Sequence, residues 1–175
     1  MTKHTLVALV EDKPGVLNEM ASLFRRRGFN IESIAVGHSE VPHLSRTTIV
    51  VNGADAMVEQ VRKQLDKLID VVKVSDITGE EIISRELALI KVKTTPASRS
   101  EVIEIVDIFR ANIVDVGADS VTIEVTGDED KLNSLLKLLR GFGIREITRT
   151  GCIAMTRGGM GPPPTDKKSP KAKEK

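Results

Sequence analysis

The stretch "VEDKPGVLNEM", Val10 to Met20, decides how the chain is read. An apolar run, Leu6 to Val10, enters an acid, a proline and a glycine, and a helical pattern starts at once. A short continuous apolar run of this kind predicts a buried strand. Leu17, Met20, Ala21 and Phe24 then fall at i, i+3, i+4 and i+7, the spacing of an amphipathic helix. Arg25, Arg26 and Arg27 crowd its last turn, where the helix dipole favours cations. Gly28 stands where a left-handed cap is expected.

Outward from this unit, Asn30 to Val36 and Leu44 to Val51 predict two strands joined by the polar "GHSEVPH". Val58, Val61, Leu65 and Leu68 mark a second helix, and Val71 to Ile77 a fourth strand. The order then recurs. Leu87 to Val92 predicts a strand, and Val102, Ile105, Val106 and Phe109 a helical stripe. Ile113 to Val116 and Val121 to Val125 predict two strands; Leu132, Leu135, Leu136 and Leu139 give a second stripe, and Ile144 to Thr148 a last strand. The fold class is therefore α+β, two tandem ferredoxin-like βαββαβ units. Residues 1–79 form the first and 80–157 the second, with the boundary in "TGEEIISR" near Gly79. Residues 158–175 are Gly, Pro and Lys with no apolar period, a tail expected to be disordered.

A lone antiparallel sheet should alternate apolar and polar residues. Leu6 to Val10 does not alternate, so its second face needs a cover, and another copy of the chain is the expected one. The reading is a homodimer or higher.

Composition narrows the function classes. The chain has 175 residues, 26 Lys+Arg against 25 Asp+Glu, and a formal net charge of +1. That balance gives no reason to expect nucleic acid or an anionic membrane as partner. No apolar run approaches the roughly 20 residues of a membrane helix. The strand pattern starts at Thr5, leaving no room for a targeting leader, and the single cysteine, Cys152, fits a cytoplasmic setting. Aromatics are 2% of the chain, which argues against a sheet on which bases stack.

The opening turn has a chemistry of its own. A helix start exposes N–H groups without internal partners and carries partial positive charge. Gly15 adds no side chain to keep a ligand off, and Pro14 gives up an N–H that has no partner there. Together they suit a carboxylate. Asp12, just before, suits an ammonium, and the two ends together describe a free α-amino acid. The plainer reading makes Asp12 a helix cap and Pro14-Gly15 a turn. The matching turn of the second unit, "KTTPASRS", keeps a proline, Pro96, but has neither glycine nor acid. Asn30 is a second candidate, with a carboxamide for either end of an amino acid. Asn112-Ile113 echoes Asn30-Ile31, which favours a simple turn role. Cys152 lacks a local catalytic partner and reads as a small core residue. His38, Glu40 and His43 share one loop, ordinarily a solvated one, and no metal site is assigned.

These residues resemble the small, regulatory subunit of acetohydroxyacid synthase (acetolactate synthase). The first unit resembles an ACT domain, a ferredoxin-like module that binds amino acids. The resemblance rests on "EDKPGVLNEMASLFRRRGFNIESIAVG", "LSRTTIVV" and "QLDKLIDVVKVSDIT", and later on "SRELALIKV", "FRANIVDVG" and "TRTGCIAMTRG". It implies a non-catalytic chain that activates a separate catalytic subunit. That subunit carries thiamine diphosphate, FAD and Mg²⁺, and no cofactor belongs to this chain. It also implies feedback inhibition by a branched-chain amino acid, usually valine. By position, the implied effector contacts are Asp12, Gly15, Val16 and Leu17 from one protomer and Asn30 and Ile31 across an interface. The alternative is an ACT-type amino-acid sensor serving a different enzyme or regulator.

Overall fold

The structure is a computed structural model that describes residues 2–158. Apart from Gly158, the tail assigned to 158–175 lies outside the described residues. Two compact units divide the chain. Among the described residues, one holds 2–83 together with 154–158, and the other is Ser84–Ile153.

The first unit runs β1 (Thr2–Glu11), α1 (Val16–Arg26), β2 (Ile31–His38), β3 (Leu44–Gly53), α2 (Asp55–Leu65) and β4 (Val71–Asp76). Its sheet has the order β2-β3-β1-β4. β3 is antiparallel to both β1 and β2, and β4 is antiparallel to β1. The second unit repeats this with β5 (Ile82–Lys93), α3 (Arg99–Ile108), β6 (Asn112–Val116), β7 (Ser120–Gly127), α4 (Glu129–Leu139) and β8 (Ile144–Arg149), in the order β6-β7-β5-β8. A 3-10 turn, Arg140–Phe142, precedes β8. A short strand that the periodicity did not reveal, β9 (Ile153–Thr156), pairs with β5. The expected α+β fold, two βαββαβ units in tandem, is what the chain adopts.

The repeat holds an offset of 82 residues down to its irregularities. The β-bulge between Leu9 and Val10 recurs between Lys91 and Val92, and the shift between Ile31 and Ser33 recurs between Ile113 and Asp115. Each unit has its own aliphatic core between helices and sheet. Leu6, Ala8, Val10, Met20, Phe24, Ile49, Val58 and Leu65 lie in the first, and Ile90, Val92, Val102, Ile123, Leu132, Leu135 and Leu139 in the second.

Two sequence expectations change. α2 ends at Leu65, one turn before Leu68, which packs on the core from the following loop. The boundary falls at Ile83/Ser84, not near Gly79, and Ala154 returns to the first unit. The reason is packing. Val7, on the sheet face away from the helices, is 7% exposed because Ile77, Ala154 and Ile82 cover it. The chain itself, through Ile82 and β9, covers part of the face that was expected to need a second copy. The Arg46 guanidinium adds a hydrogen bond to the Ala154 carbonyl at 3.1 Å.

Candidate functional site

The turn from β1 to α1 is built by three constraints. Gly15 takes φ 96° and ψ −24° at the helix entrance, a left-handed geometry that glycine adopts without strain. Its carbonyl accepts the first helical N–H, from Glu19, at 3.0 Å. The Asp12 N–H donates to the His43 carbonyl at 2.8 Å, tying the turn to the β2–β3 hairpin. On the other side, the Glu11 N–H donates to the Asp70 carbonyl at 2.8 Å. Lys13 sets its Nζ 2.5 Å from Asp70 Oδ1 and 2.9 Å from Glu11 Oε2. Hydrogen bonding to Asp70, then to Glu11, raises the lysine pKa well above its ordinary value.

α1 has no side-chain cap. Among the described residues, no side chain accepts from the N–H groups of Val16, Leu17 and Asn18. The corresponding turn in the second unit is tied by its own side chains. The Thr95 N–H donates to Ser98 Oγ at 2.9 Å, and the Ser98 N–H returns to Thr95 Oγ1 at 3.2 Å. This reciprocal pair has the form of a capping box and occupies the Thr95 and Ser98 donors ahead of α3, whose own first turn, like that of α1, has no side-chain cap. The asparagines differ in the same sense. Asn112 donates to Glu124 Oε1 at 3.3 Å, whereas no partner meets the exposed Asn30 among the described residues. Among the described residues, the turn before the helix and the asparagine thus have side-chain partners in the second unit that they lack in the first.

Asp12, Gly15, Val16 and Leu17 come together at this turn; Asn30 and Ile31 do not join them. Val16 is 3% exposed and its side chain lies in the core, so it offers the site only its backbone N–H. Leu17 is 46% exposed. Asp12 Oδ2 pairs with His38 Nδ1 at 3.2 Å, at the far end of β2. β2 is eight residues long, so Asn30 and Ile31, at its start, lie roughly 25 Å from that pair. A small ligand cannot span the two groups within one chain. Lys13, His38, His43 and Asp70 were not singled out for the turn by sequence. The one hint was the charge order Glu11-Asp12-Lys13; nothing local points to Asp70. Among the described residues, no group of three His, Cys, Asp or Glu side chains is placed to hold a metal ion.

Against known proteins, residues 6–73 match the model described as an AHAS small subunit-like ACT domain, and residues 85–158 match the small subunit of acetolactate synthase. A probable acetolactate synthase small subunit of Archaeoglobus fulgidus is 59% identical over 156 residues, 89% of this chain and 98% of that protein. The chain belongs to the acetolactate synthase small-subunit family. A family member from Mycobacterium bovis is 55% identical over 158 residues, 90% of this chain and 94% of that one. The crystal structure of the acetolactate synthase small subunit from Thermotoga maritima superposes with a TM-score of 0.83 at 43% identity, covering 91% of this chain and all of that one. As a small subunit the chain is a regulatory component of acetolactate synthase, not its catalytic chain. Among the described residues no helix is long and apolar enough to cross a membrane.

Proposed function

We propose that this chain activates the catalytic subunit of acetolactate synthase and makes it sensitive to feedback inhibition by a branched-chain amino acid, valine first among them. The condensation of pyruvate with pyruvate or 2-ketobutyrate, and the thiamine diphosphate, FAD and Mg²⁺ it uses, belong to the catalytic subunit. The chain acts as a homodimer or larger assembly in the cytoplasm, with neither nucleic acid nor membrane as partner.

One observation carries the reading: among the described residues, side chains bind the Thr95 and Ser98 N–H groups and Asn112 in the second unit, whereas no side chain does so at the Gly15 turn or at Asn30 in the first. Open donors at a helix start suit the carboxylate of the effector. Asp12 suits its ammonium, and Leu17 with Ile31 supplies apolar contact. The 25 Å scale of β2 means that Asn30 and Ile31 must come from a second copy. A ligand that touches two copies binds the assembled form better than the separated one, and this difference is the only source of a shift in equilibrium. One methylene in such a pocket discriminates by about 1–3 kcal/mol, so valine, leucine and isoleucine compete closely.

The test is reconstitution with a purified catalytic subunit, followed by titration with valine. Activation and valine-dependent loss of rate are expected. No rise in rate and no valine effect would favour a sensor serving another enzyme. A mixing experiment probes the shared site. Gly15→Asp chains and Asn30→Ala chains should each fail to respond alone. Mixed assemblies should regain part of the response, because one of their sites has an intact turn facing an intact asparagine. No recovery on mixing would place all contacts in one chain.

A further inference from the structure

We infer that His38 is a positioning residue of the effector site: its imidazole holds the Asp12 carboxylate on the β2–β3 hairpin and so keeps the entrance of α1 open to a carboxylate ligand. The inference rests on the amino-acid reading above.

An aspartate three residues before an uncapped helix start is a ready competitor for the donors there. Carboxylates are favoured at helix N-termini by hydrogen bonding and by the dipole. If Asp12 swung inward it would occupy the same N–H groups that the effector's carboxylate needs, and its charge would repel that carboxylate. It does not swing inward. α1 has no side-chain cap, and Asp12 Oδ2 sits 3.2 Å from His38 Nδ1. The hairpin that presents His38 is itself fixed. The Ser39 N–H donates to the Leu44 carbonyl at 2.9 Å, and the Val41 N–H donates to Ser39 Oγ at 3.1 Å. His43, a non-glycine residue at φ 65°, turns its carbonyl to receive the Asp12 N–H. Strain of this kind gathers where the backbone is constrained by function. One aspartate is therefore tethered twice to the same hairpin, once through its main chain and once through its carboxylate.

The pair is exposed, 87% for His38 and 45% for Asp12. It adds little to folding, as exposed ion pairs do, so its effect belongs on the effector and not on the melting temperature.

The experiment measures valine binding to the full chain by calorimetry and valine inhibition of the reconstituted holoenzyme, each variant normalised to its own valine-free rate. His38→Ala should raise the half-saturating valine concentration about fivefold, the scale of one exposed ion pair, with its melting temperature little changed. His38→Arg, which keeps an N–H donor for Asp12, should stay near wild type. In Asp12→Asn the carboxylate is gone, so adding His38→Ala to it should bring no further loss. Wild-type binding with an unchanged His38→Ala variant overturns this inference and leaves the effector reading standing. So does a double variant that falls as far below Asp12→Asn as His38→Ala falls below wild type. If wild type binds none of valine, leucine or isoleucine, the effector reading fails and this inference fails with it.

Discussion

Lys13 and Asp70 form a bridge of 2.5 Å between the β1–α1 turn and the loop that ends α2. Beside it, the Glu11 N–H donates to the Asp70 carbonyl. The Lys13 ammonium is held between two carboxylates, those of Glu11 and Asp70. Lys13→Met removes the bridge and leaves the main-chain bond. The expected outcome is a looser turn and a rise of about two- to fivefold in the valine needed for half inhibition, on the scale of an exposed pair. High salt should bring wild type toward the variant, since at ~1 M the screening length is about 3 Å. Inhibition curves at low and high salt check both statements.

Gly15 tests the site more directly. Nothing lies within 4 Å of a Cβ added there, so the glycine is required by its φ of 96° and not by crowding. Gly15→Ala should destabilise the chain by about 1–2 kcal/mol, the penalty of a left-handed residue with a side chain, read by denaturant unfolding. Its valine response should survive where the fold does. Gly15→Asp has the same backbone penalty and adds a carboxylate beside the open N–H groups. It should abolish the response while activation of the catalytic subunit persists. Equal loss of response in both variants would show that turn geometry alone matters and that no anion is bound there.

Much of this was legible in the sequence, for reasons that differ by element. The stripe of α4 was clear because that helix buries the face its leucines share. In α1 the buried set is Val16, Met20, Leu23 and Phe24, so the face predicted from Leu17, Met20, Ala21 and Phe24 is turned, leaving Leu17 and Ala21 exposed. β9 was not legible. Ile153–Thr156 is only four residues long, and its burial depends on Val7, Ile77 and Ile82, far away in sequence. The same distance hid the cover of β1, so a continuous apolar run was assigned to a second copy when the chain supplies part of that cover. At the site, Gly15 announced itself because the turn needs its φ. Asp70 did not, because a partner more than fifty positions away from Lys13 leaves no local pattern. Val16 was implied as an effector contact by position, but its side chain lies in the core.

The repeat supplies a stabilising prediction. Gly28 ends α1 at φ 70°, with the Phe29 N–H donating to the Phe24 carbonyl at 3.0 Å. The second unit closes α3 the same way, with the Ala111 N–H donating to the Val106 carbonyl at 3.0 Å, but the residue in the left-handed position is Arg110, at φ 49°. A side chain there is strained by roughly 1–2 kcal/mol, partly offset by the extra freedom glycine has in the unfolded chain. Arg110→Gly should therefore stabilise the second unit by about 0.5–1 kcal/mol, seen as a higher denaturant midpoint with unchanged slope. A loss of stability would mean that the arginine makes contacts worth more than the strain it bears.

Glu59 gives a pH-dependent test on α2, away from the site. Arg62 grips its carboxylate with two hydrogen bonds, Nε to Oε2 at 2.7 Å and a second guanidinium nitrogen to Oε1 at 2.8 Å, and Lys63 stands 3.4 Å away. Hydrogen bonding to Arg62, opposed by desolvation and aided by Lys63, lowers the pKa from 4.5 to about 2. A folded value below the unfolded one means that folding favours the ionised form. The pair's contribution is therefore present above pH 4.5 and is lost as pH falls from there toward about 2. Glu59→Gln should melt slightly below wild type at neutral pH, by a small margin because the pair is solvent-screened. The gap should close between those two pH values and should shrink in high salt. Melting curves of both proteins across that range check it. A gap that stayed constant with pH would assign the difference to helix propensity and not to the carboxylate.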